Sequence, residues 1–370
     1  MTDGSRQRWA PVDLAAGALR DPRALAGLAA WQWEPVIEQA RRAGVLGRIA
    51  AQLAQRRLLA SIPEAPRRHL ESALRVAGAQ HAEILREVGH VVAALAGLGV
   101  PVVLLKGAAY VAADSPAALG RFCSDIDIMV PRDALATVEG RLMLGGWIGS
   151  HHDDYDQRYY REWMHELPPM QHLQRGGVLD VHHNILPATA RHPPDAALLL
   201  AAARPLPGLP GAMVLDAPDQ ILHSMTHLFH NDELSHGLRD LSDVDLLLRH
   251  HGAQPRFWDR LAERANALDL QRPLYYGLWA AKQVFATAVP PSAFALAARA
   301  APALAWRQVM HSLWRRGLRT PDAQVDLPFA GAARFALYVR AHWLRMPPLL
   351  LARHLARKAW KRALGEGAAV

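Results

Sequence analysis

One stretch constrains this chain more than any other: Arg121-Phe122-Cys123-Ser124-Asp125-Ile126-Asp127-Ile128-Met129-Val130. Successive side chains of a β-strand point to opposite faces. As a strand, the stretch therefore puts Asp125 and Asp127 on one face and Ile126, Ile128 and Val130 on the other. The apolar face demands a core beneath it. The two carboxylates, about 7 Å apart at their Cα atoms by strand rise, repel each other unless a cation sits between their heads. A hard divalent ion such as Mg²⁺, which takes one or two carboxylates together with substrate phosphate oxygens, removes that repulsion. The stretch reads as a metal and phosphate site.

The residues on either side fit this reading. Val102-Val103-Leu104-Leu105 is a short apolar run that ends in Lys106-Gly107, and residues 108–113 begin a helix. A strand that feeds a glycine turn and a helix N-terminus offers backbone N–H groups and a positive dipole end to an anion. Further on, Gly176-Gly177 gives a turn signal, and Val178 to Ile185 alternates so that Asp180 and His182 share one face while Leu179 and Val181 share the other.

This order of strand, glycine turn, helix and Asp-x-Asp strand resembles the DNA polymerase β-like nucleotidyltransferase superfamily. In particular it resembles a bacterial branch with a Leu-Lys-Gly turn and an arginine ahead of the Asp pair. The resemblance covers about residues 96 to 190, and more loosely the helical region after it, where Leu238-Arg239-Asp240-Leu241-Ser242-Asp243 is similar to the same branch. It implies an α+β fold in three parts: a helical region over 1–95, a small mixed-sheet nucleotidyltransferase core over 96–195, and a helical domain over 196–370. It also implies transfer of a nucleoside monophosphate from an NTP to a sugar, a phosphorylated intermediate or a protein. Asp125, Asp127 and Asp180 would be the catalytic carboxylates and the ligands of Mg²⁺ or Mn²⁺. Lys106, Gly107, Arg121, Ser124 and His182 would hold the nucleotide. The superfamily turn is usually Gly-Ser or Gly-Gly; here it is Lys106-Gly107-Ala108, so the phosphate-binding hydroxyl is missing and Lys106 substitutes as a point charge.

The composition suits such a protein. Of 370 residues, 51% are hydrophobic and 21% charged, which is globular rather than disordered. Lys and Arg number 42 against 34 acidic residues, a formal net charge of +8 that suits polyanionic ligands and equally fits the arginine usage of a GC-rich genome. No interleaved aromatic and basic motif supports nucleic acid as a partner. The triad argues against a nucleotide-binding scaffold without turnover, since a binder does not need three acidic groups facing an anion. Cys123 is the single cysteine, which excludes an intrachain disulfide and fits a reducing cytoplasm. Residues 1–14 lack the apolar core of a secretory signal, and no long uncharged apolar run is present, so a soluble protein is expected.

Apolar spacing predicts helices over 24–40, 45–59 and 66–98, with His81 to Leu98 packed on the sheet. Trp31 and Trp33 read as core packing. A helix is expected from Pro131 to Leu144, then a strand or loop at Trp147-Ile148, then a hairpin over 170–173 and 178–186 with His172 and His182 facing the site. His151-His152-Asp153-Asp154 reads as a solvated loop. From about 195 onward the pattern is helical. His223 and His227 lie one turn apart, but Ser224 stands where a zinc protease carries glutamate, so they read as histidines lining a boundary or cleft. Asp243 and Asp245 repeat the Asp-x-Asp text on a helical pattern, where residues two apart diverge by about 200°; they cannot share a cation. Leu349 to Leu364 would form a basic amphipathic helix. Such a helix can lie on an anionic membrane or an acidic partner, though packing on the core with a solvated basic face is the simpler expectation.

Overall fold

The computed structural model describes residues 13–149, 159–320, 326–347 and 351. The histidine-aspartate loop at 151–154, and all of the basic helix expected over 349–364 except Leu351, lie outside the described residues.

Three short helices, α1 (Leu14–Arg20), α2 (Trp33–Arg42) and α3 (Leu46–Gln55), precede the long α4 (Glu64–Leu95). In α4 the buried residues Leu70, Ala73, Ala77, Ile84, Val88, Val91 and Leu95 recur every three or four positions, or every seven. They form one apolar stripe along a helix of 32 residues, about 48 Å long at 1.5 Å per residue. Of the two tryptophans expected in the core, Trp33 is there at 1% exposure, whereas Trp31 is 73% exposed.

Among the described residues seven strands form one mixed sheet: β1 (Val102–Leu105), β2 (Asp125–Met129), β3 (Trp147–Gly149), β4 (Met170–His172), β5 (Val178–His182), β6 (Arg204–Pro205) and β7 (Ala212–Val214). Their spatial order is β3-β4-β5-β2-β1-β7-β6. The pairs β2/β5 and β1/β7 are parallel and the others antiparallel. All four residues of β1 are buried, as a central strand covered on both faces requires. Strands β6 and β7 fall where a purely helical pattern was expected. Two or three residues among prolines and glycines are too few to display a period.

Between the strands lie α5 (Lys106–Ala112) and α6 (Leu135–Leu144); α4 packs on both, on β2, and on α2 and α3. The helices after β5 are α7 (Ala196–Ala202), α8 (Ala217–His230), α9 (Gly237–His251), α10 (Phe257–Ala267), α11 (Gln271–Phe285), α12 (Pro291–Ala298), α13 (Leu304–Gly317) and α14 (Ala330–Arg345). None of the helices among the described residues is long and apolar enough to cross a membrane.

A buried ionic cluster ties the helical parts to the core. Asp243 of α9 meets the Arg48 guanidinium of α3 at 2.7 Å and Nε of Arg121 at 2.9 Å, with all three side chains almost fully enclosed. Arg48 also donates to the Ala117 and Leu119 carbonyls and to Ser242. Asp245 points elsewhere, to Arg249 at 2.8 Å and to the Thr287 hydroxyl at 2.5 Å. The second Asp-x-Asp thus diverges on its helix as expected, with Asp243 buried between two distant arginines.

Candidate active site

Strand pairing builds the site. Parallel β2 and β5 run in register, with Asp125 opposite Val178, Asp127 opposite Asp180 and Met129 opposite His182. Side chains paired this way project to the same face, so Asp125, Asp127, Asp180 and His182 share one face of the sheet. On the other face Ile126, Ile128, Leu179 and Val181 are buried and anchor the strands.

Lys106 enters from the corner between β1 and α5. Its φ of 44° lies in the left-handed region, which costs a non-glycine residue about 1 to 2 kcal/mol. In that conformation Nζ lies 2.8 Å from Asp127 Oδ1. Burial alone would lower the lysine pKa, but Asp127, with smaller help from Glu166 and Asp125, outweighs it and the net shift is upward. Asp127 is buried too, which would raise its pKa; Lys106 and His182 together hold it well below the usual carboxylate range.

His182 Nε2 donates to the same Asp127 oxygen at 2.9 Å. Its Nδ1 lies 3.1 Å from Glu166 Oε2, but without hydrogen-bonding geometry. Burial opposes the charged imidazole, yet the bond to Asp127 and the charge of Glu166 shift its pKa upward. Asp180 has the opposite experience: burial first, then the Asp127 charge, pushes it up to about 7. Its Oδ1 is buried with no hydrogen-bond partner. Such a pair, with one carboxylate satisfied by Lys106 and its neighbour left strained, could hold a cation.

His165 and Glu166 carry no signal in the sequence, where the hairpin seemed to begin at Met170. The backbone instead continues the antiparallel pairing upstream: Leu167 N donates to Val181 O, His183 N to His165 O, and Glu166 bridges to His182. A π-helical turn at Tyr159–Trp163 leads into this segment, an irregularity common near functional sites.

Two residues expected at the nucleotide, Arg121 and Gly107, are engaged in packing instead. Arg121 does not face the carboxylates; it is held by Asp243 and packs beneath the turn. Gly107 is needed for that packing, since a Cβ there would sit 2.6 Å from Arg121 Nη1 and 2.9 Å from Cys123 Sγ. Helix α5, with seven residues, gives the turn little dipole, and among the described residues Lys106 is the cation bonded to Asp127 from that turn. Ser124 is exposed at the entry to β2, next to half-buried Asp125. His172 also departs from expectation: it is buried in the hairpin, with its ring edge-on to Trp147 and Nδ1 accepting from the Gln174 and Arg175 backbone.

Helix α8 closes over this region, with Ser224 hydrogen-bonded to Tyr110 of α5 at 2.6 Å. His223 and His227 join no ligand cluster among the described residues. Burial holds both well below the ordinary histidine range, and the charges of Lys106 and Asp127 act on each.

The profile of a family described as uncharacterised nucleotidyltransferase matches residues 29–286. The chain belongs to this nucleotidyltransferase family. The match runs from just before α2 to just after α11, so it includes the whole sheet and the α9 arginine clasp, while α12, α13 and α14 lie beyond it. No curated protein and no solved structure matches the chain. Within the nucleotidyltransferase core the carboxylate face stands where strand order, turn and alternation converge.

Proposed function

We propose that this nucleotidyltransferase moves a nucleoside monophosphate from an NTP to a sugar, a phosphorylated intermediate or a protein, with Asp125, Asp127 and Asp180 as ligands of Mg²⁺ or Mn²⁺. The observation that carries the reading is Asp127 opposite Asp180 on one face of a parallel strand pair, with Asp180 Oδ1 buried and unpartnered. Oxygen donors held together under strain fit a hard cation better than any softer one. When bound, the cation supplies neutralisation of the triphosphate and of the departing pyrophosphate.

The chain's own groups do the rest. Lys106 Nζ, already beside Asp127, is a side-chain cation placed to meet a phosphate oxygen and serves as a point charge in place of the missing hydroxyl. His182 orients Asp127 from the opposite side. Asp180, poised near neutrality by burial and by Asp127, is suited to take the acceptor proton or hold a second cation. Arg121 keeps the turn and α9 in place rather than touching the nucleotide. An inactive nucleotide-binding relative is the weaker reading, because such a protein gains nothing from a strained Asp180.

The decisive test is mass spectrometry of the purified chain incubated with each NTP and Mg²⁺ and candidate acceptors, read together with pyrophosphate release. Active wild type and a folded but silent Asp125→Asn/Asp127→Asn variant are expected. Equal Mg²⁺-NTP affinity in that variant would remove both residues from the site.

A further inference from the structure

Beside the carboxylate face lies a second group of ligands with different chemistry. We propose that His165, Glu166 and His182 form a Zn²⁺ site of the kind that keeps one coordination position open. Their candidate ligand atoms all lie within 4.8 Å of one another. Four-coordinate zinc, with bonds of about 2.0–2.2 Å, sets its ligands roughly 3.3–3.6 Å apart. The observed 3.1 Å between His182 Nδ1 and Glu166 Oε2 is close to that spacing.

Two further observations point to a ligand. His182 is 3% exposed and its Nδ1 has no hydrogen-bond partner; His165 Nδ1 is likewise buried and unpartnered. Two neighbouring imidazole nitrogens left bare are an exception to the rule that buried polar atoms are paired. The other ring nitrogen of His182 is fully engaged, since Nε2 donates to Asp127, whose carboxylate is in turn held by Lys106. A metal-binding histidine typically has its far nitrogen bound to a carboxylate, which fixes the tautomer and leaves the near lone pair free. Asp127 is therefore a positioning residue for this site as well as a member of the carboxylate face. Imidazole donors select zinc and its neighbours, whereas Mg²⁺ demands oxygen. The two sites thus differ in the metal they prefer, and this one does not depend on nucleotidyl transfer.

The experiment uses the full chain stripped with chelator, titrated calorimetrically with Zn²⁺ and separately with Mg²⁺, without nucleotide. One Zn²⁺ per chain is expected, bound far more tightly than Mg²⁺. His165→Gln and Glu166→Gln should each weaken Zn²⁺ at least about tenfold, and Asp127→Asn by about 10- to 100-fold through the outer shell. Asp125→Asn should leave zinc affinity unchanged. X-ray absorption of the zinc-loaded wild type should show two imidazole shells, a readout that does not require any variant to fold. Absence of zinc binding, affinity indifferent to His165→Gln, or a spectrum lacking imidazole would each overturn the site. Because no NTP is present, failure here leaves Mg²⁺-dependent transfer standing, and failure of transfer leaves the zinc result standing.

Discussion

Asp180 is the residue whose surroundings do least for it. Asp127 next door has Lys106 and His182; Asp180 has burial, a neighbouring negative charge and an unpartnered oxygen. A carboxyl pushed up to about 7 in the folded state from about 3.8 costs stability when it is ionised. The folded protein holds this proton more tightly than the unfolded chain, so the cost is absent below about pH 3.8, builds from there to about 7, and is constant above. In chelator, Asp180→Asn should therefore melt higher than wild type, with a gap that widens across that window and then levels. In the presence of Mg²⁺ and NTP the same variant should lose about 10²- to 10⁴-fold in turnover, while nucleotide affinity falls far less. Loss of affinity in proportion to turnover would make Asp180 a ground-state ligand instead.

Among the elements, α9 carries the most weight for its size, because Asp243 is the common partner of Arg48 from α3 and Arg121 from the segment before β2. Removing one member of such a buried set strands the others, at about 3 to 5 kcal/mol. Asp243→Asn should lower stability in urea melts by that amount, while Asp245→Asn, whose partner Arg249 reaches solvent, should cost far less. Similar losses for both would mean that Asp243 does not clasp two arginines. Much of the core could be read in the text: β1, β2, β5 and α6 announce themselves by apolar runs, period-two alternation and a Gly-Gly stop, and alternation gives the face of Asp127 and of Asp180, whereas the register that joins them is set by the β2/β5 pairing. Other features had no local signature. Strands β6 and β7 are too short for a period, Glu166 reaches the site through backbone pairing that precedes the visible hairpin, and the Arg121–Asp243 contact spans 122 residues. Gly107 and Arg121 were legible as a pair worth noticing, but packing rather than phosphate accounts for their proximity.

Taken whole, the molecule buries an unusual set of histidines in the neutral form. Burial holds His165, His223 and His227 well below their ordinary range, His183 near 4 and His230 near 3. The unfolded chain accepts protons on these rings below about pH 6.5, and the folded chain refuses them, so stability must fall as pH drops from 6.5 toward 4. Asp180, Asp219 and Asp245, raised chiefly by burial, act in the opposite sense but are fewer. Thermal melting should therefore decline steadily over that window, and His223→Gln should reduce proton uptake on unfolding at pH 5 by about one per chain; a melting temperature flat from pH 6.5 to 4 would contradict the buried neutral rings. The sheet has its own consequence for life in a crowded solution. One edge is β6, only Arg204 and Pro205, both exposed, and proline has no N–H to offer. The other is β3, three residues long among the described residues. Among the described residues, edges this short give a neighbouring chain almost no ladder to extend, and the proline edge in particular is poorly suited to seed strand-by-strand aggregation.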